Sequence, residues 1–138
     1  MATIQEQLIL HEGKENKPYR CTADKLTIGV GRNLEDKGLT DDEIMYLLEN
    51  DIKEAEQDLE QFDWYSKLKW ERKRAVIDMR INLGLRGLLS FKKMIAKIES
   101  EEWEEAAYEM LDSKWAAQVG MRSERLAKMM RTGEDYEK

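Results

Sequence analysis

The stretch from His11 to Arg32, HEGKENKPYRCTADKLTIGVGR, decides how the rest of this chain is interpreted. Glu12 stands at the end of a segment with a helical pattern. The residues after it form short, strand-like segments of alternating character, with turn residues between them. Eight residues separate Glu12 from Cys21, and five separate Cys21 from Thr27. A helix-end carboxylate that faces a two-stranded ribbon would place three polar groups around one small volume. Glu12, Cys21 and Thr27 are therefore the candidate catalytic residues.

Helix signals surround this stretch on both sides. Thr3 starts a capping box for a first helix that ends near Glu12, and a second capping box begins at Thr40 and opens a helix with an apolar stripe at helical spacing. Ser66 is the predicted cap of a further helix, which Gly84 ends. Later helices are predicted over Ser90–Ser100, Glu101–Leu111 and Ser123–Arg131.

These elements predict a mostly helical α+β fold in one domain over residues 1–138. A small N-terminal lobe comprises the ribbon at 14–38 and a long connecting helix at 40–61. A larger helical lobe comprises residues 1–12 and 65–138. A cleft between two such lobes is a common place for a ligand.

Composition excludes several classes of function. The chain has 138 residues, of which 38% are charged, with one cysteine and one histidine. A disulfide framework and a multi-histidine metal site are therefore excluded, and we expect no metal and no cofactor. The N-terminus lacks a basic region followed by an apolar one, and no run of about 18 apolar residues is present. We expect a protein made in a reducing cytoplasm without stable membrane insertion.

The formal net charge of −6 hides a basic segment. Residues 66–97 hold ten basic and two acidic side chains, whereas residues 1–65 hold seven basic and sixteen acidic ones. This segment has three interpretations: an ordinary solvated face, a surface that steers the protein to anionic cell-wall polymers, or a nucleic-acid site. No recognised DNA-binding motif supports the last, and we expect no nucleic-acid partner.

Several motifs together resemble one family. They are His11-Glu12-Gly13, the cysteine after an eight-residue gap, Thr27-Ile28-Gly29-Val30-Gly31, Leu39–Glu43, Ile81–Gly84, Trp103–Ala107, Arg122–Arg125 and Arg131-Thr132-Gly133. In this order they look like the bacteriophage-type lysozymes, or endolysins, in which an aspartate commonly stands where this chain has Cys21. The resemblance covers nearly the whole chain.

The resemblance implies a muramidase that hydrolyses the β-1,4 bond between N-acetylmuramic acid and N-acetylglucosamine in peptidoglycan. Glu12 would be the general acid, which must hold a proton at the working pH, and burial in a cleft wall would favour that form. The family also implies a monomer made in the host bacterial cytoplasm. It would reach the cell wall through a holin pore and lyse the host.

Cys21 departs from the two-carboxylate scheme of glycosidases. A free thiol is mostly protonated at neutral pH, although the neighbouring cations Arg20 and Lys25 would favour the thiolate. Cys21 would activate water as a base, attack the anomeric carbon itself, or remain an inert packed thiol. We favour water activation with inversion of configuration, with Thr27 bonded to that water.

Other residues receive roles from the resemblance. Arg122 matches the basic residue that partners the general-acid glutamate in the family, which is Glu12 here. Asn82 matches a polar residue at the family's cleft, and we predict that both Arg122 and Asn82 bind substrate. Arg32 stands where many relatives have histidine, and we predict that it forms a structural ion pair with Asp51. The stretch Asn33–Gly38 is short for this family, so the small lobe should be trimmed.

Two other classes of function remain open. One is a catalytically inactive lysozyme fold that binds the cell wall or a protein partner, because the usual aspartate is replaced by Cys21. The other is a helical DNA-associated protein that uses the basic segment.

Overall fold

The computed structural model describes residues 1–137, which are mostly helical with one small sheet. Within them, eight helices and three strands follow one another along the chain. They are α1 (Ile4–Glu12), β1 (Glu15–Arg20), β2 (Leu26–Gly29), β3 (Arg32–Asn33), α2 (Asp41–Glu60), α3 (Asp63–Ser66), α4 (Trp70–Leu89), α5 (Lys92–Glu99), α6 (Trp103–Leu111), α7 (Lys114–Val119) and α8 (Met121–Thr132). The predicted α+β class is confirmed.

The chain divides into two compact units, Met1–Leu47 and Leu48–Lys138. This division differs from the predicted lobes, which assigned residues 1–12 to the helical lobe and residues 40–61 to the ribbon lobe. In the structure α1 runs through Gly13 straight into β1, so the first helix belongs to the unit that contains the ribbon.

The first unit begins with a capped helix and an antiparallel sheet of order β1-β2-β3. The Thr3 hydroxyl accepts a hydrogen bond from the Glu6 amide at 3.0 Å, and Gly13 ends the helix at a φ of 82°. Tyr19 lies opposite Thr27 in the β1–β2 pair, and the register is irregular between Glu15 and Tyr19. Pro18 lies in that interval and has no amide proton for the ladder, which accounts for the irregularity.

The second unit packs its helices around an apolar core. Its fully buried side chains include four large ones that sequence periodicity places in helices of the core: Leu59, Met79, Met94 and Met110. Trp115 is 4% exposed and Ile98 is 2% exposed, so both are core residues. The buried residues of α5 are Met94 and Ile98, and α6 likewise turns one face to the core, whereas Leu111 at its end is exposed.

Two predicted helix boundaries are wrong, and one helix is missing from the prediction. Ser66 ends the short helix α3 rather than capping a long one, and its hydroxyl donates to backbone carbonyls of α2 and of Phe62. Gly84 takes non-helical angles (φ 76°, ψ 166°) but only kinks α4, which continues to Leu89. Helix α7 was not predicted, although Ser113 caps it through the Ala116 amide. In the described part of the chain, no helix is long and apolar enough to cross a membrane.

Candidate active site

Glu12 lies at the C-terminal end of α1, against the second glycine of the Thr-Ile-Gly-Val-Gly motif. A β-carbon built on Gly31 would stand 2.5 Å from Oε2 of Glu12 and 3.0 Å from its carboxyl carbon. A side chain at position 31 would therefore displace this carboxylate from its observed position. Glu12 itself is exposed, so the expected burial of this group is not present, and its carboxylate has no hydrogen-bond or ion-pair partner among residues 1–137.

Cys21 lies in the turn between β1 and β2. The Cys21 amide donates to the Lys25 carbonyl at 3.0 Å, the Asp24 amide donates to the Cys21 carbonyl at 2.8 Å, and Asp24 has a φ of 59°. The backbone amide of Lys25, then that of Ala23, and then the Thr27 hydroxyl hydrogen-bond the sulfur and lower the pKa of the Cys21 thiol from its usual value. The turn therefore favours the thiolate by pointing amide dipoles at it.

The cations that sequence analysis expected to act on this thiol have other partners. Arg20 donates to Glu35 at 3.0 Å and to the Asp24 carbonyl at 3.2 Å, while Lys25 lies 3.6 Å from Glu35 and 3.5 Å from Asp36. Carboxylates thus compensate both positive charges. Backbone amides, rather than these side chains, account for the lowered pKa of the Cys21 thiol.

Thr27 is 3% exposed on β2, and its hydroxyl donates to the Lys25 carbonyl at 2.7 Å. A hydroxyl has one proton to donate, so it cannot donate to Lys25 and to the sulfur at once. While Cys21 is a thiol, Thr27 donates to Lys25 and can accept from the S–H group. When Cys21 is a thiolate, the hydroxyl must rotate to donate to the sulfur. The structure thus brings together Cys21 and Thr27, two of the three groups that the spacing predicts around one volume.

Arg32 forms its ion pair with Glu43 and not with Asp51, so that prediction is wrong. The Nη1 and Nη2 atoms of Arg32 donate to the two carboxylate oxygens of Glu43, at 2.8 and 2.6 Å, and Nη1 also donates to the Gly38 carbonyl at 3.2 Å. These bonds, together with the Thr40 amide, lower the pKa of Glu43 to about 2. Glu43 also completes the capping box of α2 with Thr40, which turns its carboxylate toward the end of the ribbon.

Asn82 and Arg122 belong to the second unit, and each has a partner there. The Asn82 carbonyl accepts a hydrogen bond from the buried Trp115 indole at 2.6 Å, which leaves its amide group exposed. Arg122 pairs with Asp78 through Nε at 2.7 Å and Nη2 at 2.6 Å. The carboxylate that orients Arg122 in the structure is therefore Asp78, a residue that sequence analysis did not select.

The basic segment 66–97 is partly compensated within the second unit. Three of its cations form ion pairs: Arg74 with Asp135 at 2.9 Å, Arg80 with Asp58 at 2.7 Å, and Lys97 with Glu102 at 3.5 Å. A fourth, Arg72, donates to the Met130 carbonyl at 2.8 Å. These positions hold helices and the C-terminal residues together. The local charge of the segment is therefore smaller than its sequence suggests.

A helix-end glutamate beside a small ribbon that carries a thiol and a threonine, in a mostly helical α+β chain, defines a lysozyme-type glycoside hydrolase. The phage lysozyme family model matches residues 10–132, and the chain belongs to that family. Two similar proteins are Probable T4-type lysozyme 1 and Probable T4-type lysozyme 2 of Dictyostelium discoideum. They are 29% and 26% identical over alignments of 163 positions that cover 96% of each chain.

Proposed function

We propose that this protein is a muramidase that hydrolyses the β-1,4 bond between N-acetylmuramic acid and N-acetylglucosamine in bacterial peptidoglycan. The observation that carries the proposal is the position of the Glu12 carboxylate against Gly31, in the same unit as the Cys21–Thr27 turn. Family membership and the similarity to two probable lysozymes support the same reaction class.

In the proposed mechanism, Glu12 donates its proton to the glycosidic oxygen as the bond to the anomeric carbon breaks. The oxocarbenium-like transition state is attacked by a water molecule from the opposite face of the sugar. The Cys21 thiolate takes a proton from that water, and Thr27 hydrogen-bonds it. The products are a new reducing end of inverted configuration and a free hydroxyl group, and both catalytic groups return to their starting states by exchange with solvent.

The proposal is tested by following peptidoglycan turbidity together with the release of reducing ends. We expect activity in the wild type and near-complete loss in Glu12→Gln, since an amide cannot donate the proton. Glu15→Gln is the matched control, because Glu15 is an exposed glutamate three residues away on β1. Equal activity of the two variants would contradict the assignment of Glu12.

The role of Cys21 is tested by replacement. Cys21→Asp should retain activity, because a carboxylate can accept the same amide hydrogen bonds and activate water. Cys21→Ser should lose most of it, since a serine hydroxyl stays protonated in this turn. Alkylation of the thiol should also block turnover. Wild-type activity in Cys21→Ser would show that Cys21 is inert.

The second candidate function is a lysozyme fold that binds peptidoglycan without cleaving it, and Cys21 in the usual aspartate position favours it. Retention of the wild type on insoluble peptidoglycan without any release of reducing ends would support this alternative. Binding to DNA that disappears only at high salt would instead support a DNA-associated protein.

The biological setting is also proposed from the family resemblance. We propose a monomer that is made in the bacterial cytoplasm and reaches peptidoglycan only after a holin opens the membrane, so that release lyses the host. Expression in bacteria should be tolerated until the membrane is permeabilised, and culture turbidity should then fall in the wild type but not in Glu12→Gln. Lysis without permeabilisation would contradict this setting.

A further inference from the structure

The second unit contains a cavity of about 240 Å³ that shares no residue with the proposed site. It lies between α3 and the turn that joins α5 to α6. Its apolar floor is formed by the buried residues Leu68 and Ile98. A cavity of this volume is large enough to admit one pyranose ring.

Two tryptophans line this cavity, and internal contacts hold both rings. Trp64 stacks on Phe62 with ring centroids 5.8 Å apart, and the Arg72 guanidinium lies 3.9 Å from the centroid of Trp103. Each indole therefore uses one face inside the protein and is held in place before any ligand arrives. Neither indole N–H has a hydrogen-bond acceptor within residues 1–137.

Charged side chains surround the two rings without pairing with one another. Asp63, Glu99 and Glu101 supply carboxylate oxygens, and Lys67 supplies an ammonium group. None of these four groups makes a side-chain hydrogen bond or ion pair within the described part of the chain. The cavity thus presents acceptors and donors together, around an apolar floor and between ordered aromatic rings.

This combination of donors, acceptors and aromatic rings favours a neutral ligand that carries several hydroxyl groups. An anion would be repelled by three carboxylates, and a cation would leave the ammonium group and both indole N–H donors unused. A neutral sugar ring uses all of them, because each hydroxyl group both donates and accepts and the C–H face packs on an indole. An N-acetyl group adds an amide with one donor and one acceptor.

We propose that this Trp64–Trp103 cavity is an accessory binding site for a neutral N-acetylhexosamine residue of a glycan chain. The proposal rests on the proposed function, which supplies a polymer of such residues as substrate. A second contact on the same insoluble polymer raises the effective concentration of the enzyme there without touching the reacting bond. The site therefore contributes to retention on the polymer and not to the chemical step.

The test measures partition onto insoluble peptidoglycan in a Glu12→Gln background, which prevents turnover. Trp64→Ala should lower retention by roughly 100-fold, which is at the weak end of avidity effects. Trp70→Ala is the matched control, because Trp70 is 55% exposed and lies outside the cavity. Equal retention of these two variants would overturn the proposal.

A second variant guards against a folding defect in Trp64→Ala. Glu101 has a φ of 58°, so Glu101→Gly removes a carboxylate while placing glycine in a conformation that it adopts freely. Retention should fall in this variant with no loss of stability in urea. Unchanged retention would contradict the role of the carboxylates.

Two further measurements identify the ligand and separate the two proposals. Oligomers of N-acetylglucosamine should shift the NMR signals of the Trp64 and Trp103 indole N–H groups, and high salt should not abolish the effect. Loss at high salt would indicate a charged ligand and overturn the proposal. In an otherwise wild-type background, Trp64→Ala should cleave short soluble oligosaccharides at the normal rate. An inactive wild type would refute the proposed function, whereas an active one with unaltered Trp64→Ala retention would refute only the accessory site.

Discussion

Replacing Gly31 by alanine tests whether the ribbon positions the Glu12 carboxylate. Gly31 and Gly29 both have a φ of 68°, so alanine at either position adopts a left-handed backbone conformation. This costs ~1–2 kcal/mol, and the smaller conformational entropy of alanine in the unfolded chain offsets roughly 0.5–1 kcal/mol of it. Each substitution should therefore lower the free energy of unfolding by about 1 kcal/mol.

The two positions differ in what the new methyl group meets. At Gly29 there is no atom within 4 Å, whereas at Gly31 the methyl carbon would stand 2.5 Å from Oε2 of Glu12. The exposed glutamate side chain can swing away, so the clash adds little to the stability cost. However, displacement of a reacting group by about 1 Å is enough to cost roughly 100-fold in rate. Gly31→Ala should lose about that factor, and Gly29→Ala should stay close to wild type.

Urea unfolding and the release of reducing ends from peptidoglycan measure the two effects separately. The expected pattern is equal loss of stability in both variants, with loss of activity in Gly31→Ala alone. If both variants were equally active, the contact between Gly31 and Glu12 would not position a catalytic group. If both lost activity equally, strain in the ribbon rather than displacement of Glu12 would be the cause.

Three other predictions concern separate parts of the chain. The folded-state pKa of Glu43 is about 2, below the usual 4.5, so its pair with Arg32 stabilises the fold above pH 4.5 and this contribution disappears as the pH falls toward 2. Glu43→Gln should remove that part of the acid dependence in unfolding experiments. Thr27→Val should raise the pKa of the Cys21 thiol, which the pH dependence of its alkylation rate reports, whereas Thr27→Ser should not. Met110→Ala should destabilise the protein by about 2–5 kcal/mol in urea, because this side chain is fully buried.

Local signals in the sequence predicted the starts of α1 and α2 well. At Thr3 the hydroxyl caps the helix through the Glu6 amide, and at Thr40 the complete capping box with Glu43 forms, because such bonds need only side chains and amides within one turn. The predicted end of the helix at Gly84 is wrong for a different reason. A glycine frees the backbone, but whether the chain then turns away or resumes its helix depends on the core residues beyond it, and Leu88 is fully buried on the resumed turn.

The partner of Arg32 shows where sequence reasoning about a site fails. Asp51 was selected for its position on the connecting helix, yet the guanidinium binds Glu43, which the capping box holds at the start of α2. The signal was present in the sequence, because Glu43 was already assigned to that box. A residue that caps a helix has a known direction, and this makes it a better candidate for a neighbouring cation than a residue selected by position alone.

The pKa of the Cys21 thiol also depends on local backbone geometry more than on nearby charged side chains. Side-chain cations near a thiol are the obvious cause of a lowered pKa, but Glu35 and Asp36 compensate Arg20 and Lys25 here. The amides of Ala23 and Lys25 act on the sulfur instead, and they belong to the turn whatever side chain occupies position 21. A turn of this kind stabilises negative charge on any acceptor of suitable reach, whether a thiolate or a carboxylate. Cysteine in place of aspartate therefore leaves, at the same point of the site, a group whose anionic form the turn favours, which is why we favour catalysis over an inactive fold.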